Sequence, residues 1–160
     1  MSDEAILTLS VLAAVGTGVA GGVFFAFSTF VMQGIDRLRP ADSIRAMQAI
    51  NVAAPTPPFM ALLFGTALLA TVLAVTAVGR WGESGSGYLF AGGVLYAVPI
   101  VLTAVYHVPR NNELAELDAE TAATDAAWSR YANGWVRWNH LRTVTPIAAC
   151  VMYLLAARTV

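Results

Sequence analysis

The sequence predicts an all-α, membrane-embedded protein, an antiparallel four-helix bundle with short interfacial helices on the cytoplasmic side. Three observations predict it. The chain of 160 residues is 58% hydrophobic and only 12% charged, with a mean hydropathy of +0.65, which is more apolar surface than one water-soluble core can hide. Four stretches are long and apolar enough to cross a bilayer, whose hydrocarbon core of about 30 Å takes roughly 20 residues of helix. Those stretches are continuous rather than alternating, so they do not read as the strands of a closed barrel, the other way to satisfy a backbone in lipid.

The first span is placed at about residues 5–32, which carry no charge. Ser2, Asp3 and Glu4 precede it where a cleaved signal peptide would have a basic segment, and the apolar run is too long for one, so the span is expected to be retained. Gly16, Gly18, Ala20, Gly21 and Gly22 give it a small-residue face, with Gly18 and Gly22 in GxxxG spacing. Close packing within the bundle is the preferred reading over a dimer seam.

After it, Pro40, Ala41, Asp42 and Ser43 read as a helix start, and Ile44, Met47, Gln48 and Asn51 recur at helical spacing up to Pro55, which predicts a short interfacial helix. The second span, at about residues 58–78, is again uncharged, and only the Gly/Ser-rich turn from Gly79 to Gly87 joins it to the third, at about 88–107. Asn111 to Asp125 is acidic and Ala-rich; Trp128, Tyr131, Trp135 and Trp138 follow at i, i+3, i+7 and i+10, one face of a helix. That helix is expected to run into the fourth span, at about 140–157. Pro99 and Pro146 lie inside spans and are read as kinks. No repeat or linker divides the chain, so residues 1–160 form one domain.

All the basic residues are Arg. Arg37, Arg39, Arg45, Arg110, Arg130, Arg137 and Arg142 fall on one side of the spans, Arg80 and Arg158 on the other. This bias puts the long loops in the cytoplasm and both termini outside it, in a cell membrane. A net charge of -1 and the lack of a basic cluster speak against a nucleic-acid partner. The single cysteine, Cys150, offers neither a disulfide nor a thiolate metal motif.

Antiparallel connectivity brings four span ends to one face, and the unusual polar residues sit at those ends. Ser28, Thr29 and Gln33 close span one, Gln48 and Asn51 precede span two, His107, Asn111 and Asn112 close span three, and Asn139, His140 and Arg142 open span four. Polar groups at membrane depth are costly unless used, so the cluster is a candidate site. Each residue singly also reads as a helix cap, a snorkelling side chain or an interhelical hydrogen bond. The aromatic stripe likewise reads either as an interfacial belt or as a stacking wall for a flat ligand. No carboxylate stands beside the two histidines, so a metal at His107 and His140 is disfavoured, and with no nucleotide-binding fingerprint in the sequence no cofactor is expected.

Several motifs carry a family resemblance: GVFFAFSTFVMQGI (Gly22 to Ile35), MQAIN (Met47 to Asn51), HVPRNNELA (His107 to Ala115) and WSRYANGWVRWNHLRT (Trp128 to Thr143). The chain resembles the DUF1772, or anthrone-oxygenase-like, membrane proteins. It departs from their pattern at His107, where Asn is more usual, and at Arg110, where an apolar residue is. The resemblance implies an O2-dependent oxidation of a flat anthrone-like or phenolic molecule. Such chemistry needs a base, an oxyanion partner and a dry pocket. The expected catalytic residues are His140 as base, Arg142 as oxyanion partner and His107. Substrate contacts are expected from Asn51, Asn111, Asn112, Trp128, Trp135, Trp138 and Asn139. The expected partners are a lipophilic aromatic small molecule and the bilayer, with homo-oligomerisation open. The competing class is a non-catalytic membrane protein that binds a lipophilic molecule or a protein partner. The apolar mid-span positions argue against an ion channel.

Overall fold

The computed structural model describes residues 1–120 and 124–159. Five helices account for almost all of them: α1 (Asp3–Ile35), α2 (Pro40–Ala53), α3 (Pro57–Gly79), α4 (Ser86–Ala115) and α5 (Thr124–Ala157). All but α2 are long and apolar enough to cross a membrane. Local chemistry fixes their starts. The Ser2 hydroxyl accepts from the Ala5 amide at 3.3 Å and that of Thr56 from the Phe59 amide at 3.4 Å, each satisfying a free donor of a first turn. Pro40 and Pro57 stand at first helical positions, where a missing N–H costs nothing. Gly85, at φ 84°, makes the left-handed step into α4.

The four spans form a ring in which α1 packs on α5, α5 on α4, α4 on α3 and α3 on α1. Glycines let the backbones close. A Cβ at Gly92 would stand 2.8 Å from the Tyr153 ring, and one at Gly16 would collide with Thr66. The GxxxG pair does not act as a unit: Gly18 faces Cys150 within the bundle, whereas nothing stands over Gly22. At the rim of the termini, Arg80 bonds Asp3 at 2.8 Å and Glu83 at 2.5 Å, tying the start of α1 to the α3–α4 turn.

The helices outrun the apolar stretches that mark them. The third and fourth spans, read at 88–107 and 140–157, belong to helices Ser86–Ala115 and Thr124–Ala157. Hydropathy reports where lipid lies, while backbone hydrogen bonding continues until a turn residue stops it. The overrunning ends of α1, α4 and α5, with α2, build a cap. Two separate apolar cores result. One lies among the spans and includes Phe24, Leu63, Leu73, Tyr96 and Tyr153. The other fills the cap with Met32, Ile35, Ile44, Met47, Leu114, Trp128, Tyr131 and Trp135. Gln48 Nε2 fastens α2 to the end of α4 by donating to the carbonyls of Leu114 at 2.8 Å and Leu117 at 3.1 Å.

Candidate functional site around Arg142

Between the two cores lies a polar layer, and both neighbours of α5 change helical register there. α1 passes through a π-helical stretch at Phe27–Val31 and α4 through another at Thr103–His107. Such one-residue bulges recur at functional sites because they re-aim a side chain. The bulge in α1 presents Ser28. Asn139 Nδ2 donates to Ser28 Oγ at 2.9 Å and to the Phe24 carbonyl at 2.8 Å. Thr143 Oγ1 donates to the Asn139 carbonyl at 2.9 Å, so the 2.9 Å contact between Ser28 and Thr143 has Ser28 as donor. Three of these bonds cross from α5 to α1 and lock the two helices together.

The bulge in α4 presents His107, 1% exposed. Its Nδ1 lies 3.1 Å from the Leu102 carbonyl and its Nε2 3.3 Å from that of Trp135, with the Trp135 ring edge-on at 5.1 Å. A neutral imidazole has one N–H, so it serves one carbonyl at a time, while an imidazolium serves both. One turn on, Asn111 Oδ1 accepts from the Tyr131 hydroxyl at 2.9 Å and from Trp135 Nε1 at 3.2 Å. Asn51, from the end of α2, abuts the Tyr131 phenol.

Arg142 stands in the middle of this layer. It is 7% exposed, and its guanidinium carbon lies 4.1 Å above the Phe24 ring and 5.9 Å from that of Trp135. Tyr131 and His107 are its electrostatic neighbours. Every ion pair among the described residues joins other groups, and Arg142 Nε is buried without a hydrogen-bond partner, as are Asn51 Nδ2 and Asn139 Oδ1. A buried cation with no counter-ion is expensive. A site that receives an anion explains such a group, because the missing charge then comes with the ligand.

The structure redistributes the residues expected around one cavity. His107 and Arg142 both flank the Trp135 ring, at 5.1 and 5.9 Å; Asn111 bonds Trp135 and Tyr131, Asn51 abuts Tyr131, and Asn139 bonds Ser28. Asn112 is exposed on the outside of α4, and His140 is exposed on α5. His140 lines a groove of about 400 Å³ between α1 and α5, with Ser28, Gln33, Asp36, Asn133 and Arg137. The reason is helical phase: buried positions of α5 include Trp128, Tyr131, Trp135, Asn139, Arg142 and Pro146, and residues two apart, such as 140 and 142, point about 200° apart. His140 and Arg142 therefore face different sides of α5 rather than one cavity. Nor do the tryptophans form one wall. Trp128 sits in the cap core with Nε1 donating to Asp36 at 2.8 Å, and Trp138, 37% exposed, leans on Tyr106. His107 and His140 share no site. Among the described residues no three His, Cys, Asp or Glu side chains gather where they could hold a metal ion.

Sequence reasoning missed Phe24 and Tyr131 as site residues. Tyr131 had a signal, being in phase with Trp135 and Arg142. Phe24 had none, since one Phe among the apolar residues of a span is unremarkable.

Fold and layer together define a four-span membrane protein with a buried, unpaired cation between its lipid-facing bundle and its cap. The Anthrone oxygenase family model matches residues 59–152, more than half of the chain, and the chain belongs to that family. The match takes in His107, Asn111, Trp135, Asn139 and Arg142, while Phe24, Ser28 and Asn51 lie before it. Comparison with curated proteins gave no match, and neither did comparison with solved structures.

Proposed function

We propose that the protein oxidises a flat, acidic phenolic or anthrone-like molecule with O2, and that Arg142 binds the anion formed from it. The guanidinium of Arg142, which has no ion-pair partner among the described residues, a buried Nε without a hydrogen bond and the Phe24 ring at 4.1 Å, carries this reading. Loss of a proton from the central methylene of an anthrone leaves a delocalised anion with its charge largely on the carbonyl oxygen. Arg142 and Asn51 Nδ2 supply the donors for that oxygen, and donors aimed at developing charge in a dry site are the strongest single aid to such a step. His107, the imidazole beside Arg142, takes the proton, and the carbonyls of Leu102 and Trp135 then accept from both its nitrogens.

The anion is electron-rich enough to reduce O2 directly. A carbon–oxygen bond forms at the former methylene, and the terminal oxygen takes the proton back from His107. Loss of water, with the remaining hydrogen of that carbon, leaves the second carbonyl of a quinone. The carbon gives up four electrons and O2 accepts all four, ending as one carbonyl oxygen and one water.

The test follows O2 uptake and quinone absorbance in nanodiscs across anthrones and hydroquinones. Arg142→Gln is expected to lose about 100- to 1,000-fold in turnover and His107→Gln about 100- to 10,000-fold, with His140→Ala close to wild type. Arg142→Lys is also expected to be poor, since an ammonium lacks the planar fork of a guanidinium. One observation favours a binding protein instead: both nitrogens of His107 already face carbonyls, which leaves the base engaged. Wild-type protein that binds these molecules through Arg142 and never turns them over would decide for that reading.

A further inference from the structure

The groove between α1 and α5 takes no part in the chemistry above, and its lining carries both signs of charge. Arg37, Arg39 and Arg45 lie elsewhere on the cap, while Arg137 and Asp36 line this groove together. Yet they form no ion pair with one another, and Arg137, His140, Gln33 and Asn133 have no hydrogen-bond partner among the described residues. One oxygen of Asp36 accepts from Trp128 Nε1 at 2.8 Å, which fixes the carboxylate and leaves its other oxygen free. A cation and an anion held apart in one cavity match a ligand that carries both charges at a short separation.

The position of the groove says what kind of ligand. It lies where α1 and α5 leave the apolar part of the bundle, at Ser28 to Asp36 and Ala132 to His140. One or two turns back along the same helices, the exposed side chains are Phe25, Val144 and Ile147, and Gly22 is open above its Cα. A polar groove at the edge of the hydrocarbon, with exposed apolar side chains beside it on the same two helices, suits a phospholipid, head group in the groove and chains along the apolar surface.

We propose that this groove binds phosphatidylethanolamine, with the phosphate on Arg137 and His140 and the ammonium on Asp36. The amides of Gln33 and Asn133 complete the ring of donors and acceptors. An anionic lipid would bring its head group to Asp36 without a cation to offer. A choline head group carries positive charge without an N–H, and so cannot hydrogen-bond the free carboxylate oxygen.

Native mass spectrometry of delipidated protein, titrated with POPE, POPC and POPG of matched chains, tests this. POPE is expected to bind about tenfold more tightly than either of the others, the ratio given by 1.4 kcal/mol. Asp36→Asn is expected to bring POPE down to the level of POPC, and Arg137→Gln to weaken all the lipids together. Both side chains are exposed, and thermal melts of the variants check that the fold is kept. Equal binding of POPE and POPC, tighter binding of POPG, or a POPE preference that survives Asp36→Asn would each overturn the assignment. Soluble phosphoethanolamine is expected to displace POPE only in large excess. Displacement at equal concentration would show a soluble ligand rather than a lipid.

Discussion

Replacing Arg142 with Met should make the protein more stable and useless. Arg142 is 7% exposed and has no counter-ion among the described residues, and taking an ion out of water costs several kcal/mol even after relaxation. The Phe24 ring at 4.1 Å returns about 2 kcal/mol and the Trp135 ring at 5.9 Å, at the limit of range, about 0.5. No buried carboxylate is stranded when the charge goes, so the usual penalty for breaking a pair is absent. A thioether packs well on an aromatic face. The net is a gain of about 1–4 kcal/mol, or a rise of about 2 to 16 °C in melting midpoint for a chain of this size. The assay is thermal unfolding in detergent at one fixed scan rate, which keeps the midpoints comparable between variants, run beside turnover and ligand binding. A midpoint that falls by several degrees would refute the reasoning. Arg142 would then be a structural support whose charge the fold itself satisfies.

Asn139→Leu should act in the opposite direction. It removes the Nδ2 bonds to the Phe24 carbonyl and to Ser28 in a buried layer, and its expected cost of about 2–4 kcal/mol would appear as a lower midpoint; an unchanged midpoint would mean that the lock between α1 and α5 is not needed. Gly92→Leu should destabilise by about 1–3 kcal/mol because the Tyr153 ring occupies the space, whereas Gly22→Ala should be neutral or slightly stabilising, and paired melts read the contrast. Reporters at the termini should score as extracytoplasmic and one in the chain between α4 and α5 as cytoplasmic. With Arg142 buried, the surface Arg bias toward the cap remains strong, and the reverse pattern would overturn the orientation.

The spans were legible because an uncharged run of that length has few other uses, and the first and second were read to within three residues of the helix ends. The cap helices were half legible. The Trp128 to Trp138 spacing announced a helix, but Ala115 and Thr124 as helix ends did not show in an acidic, Ala-rich stretch with no apolar rhythm. At the site, composition picked out the polar residues and phase was needed to sort them. Asn139 and Arg142 continue the stripe begun by Trp128, Tyr131 and Trp135, and His140 breaks it, so its separation from Arg142 is written in the spacing. The π-helical stretches were beyond reach, since FSTFV and TAVYH have nothing in their composition that distinguishes them from ordinary turns of helix. The same holds for the clamp by Phe24, which depends on how two helices meet.

The register changes in α1 and α4 set a timing relation among the helices. α5 runs for 34 residues in one screw, whereas each bulged helix carries one residue more than an uninterrupted helix of the same rise, about 100° of rotation. Everything in the cap on α1 and α4 is therefore indexed one step later than everything in the membrane, with α5 as the common shaft. Deleting a residue within Thr103–His107 would heal α4 into a regular helix and abolish the wide turn that aims His107 at the carbonyls of Leu102 and Trp135. A residue added to α5 between Trp135 and Arg142 would do comparable harm from the other side. The bundle behaves like a lock with pins cut to different lengths, and an insertion or deletion that a loop would absorb here turns the key out of alignment.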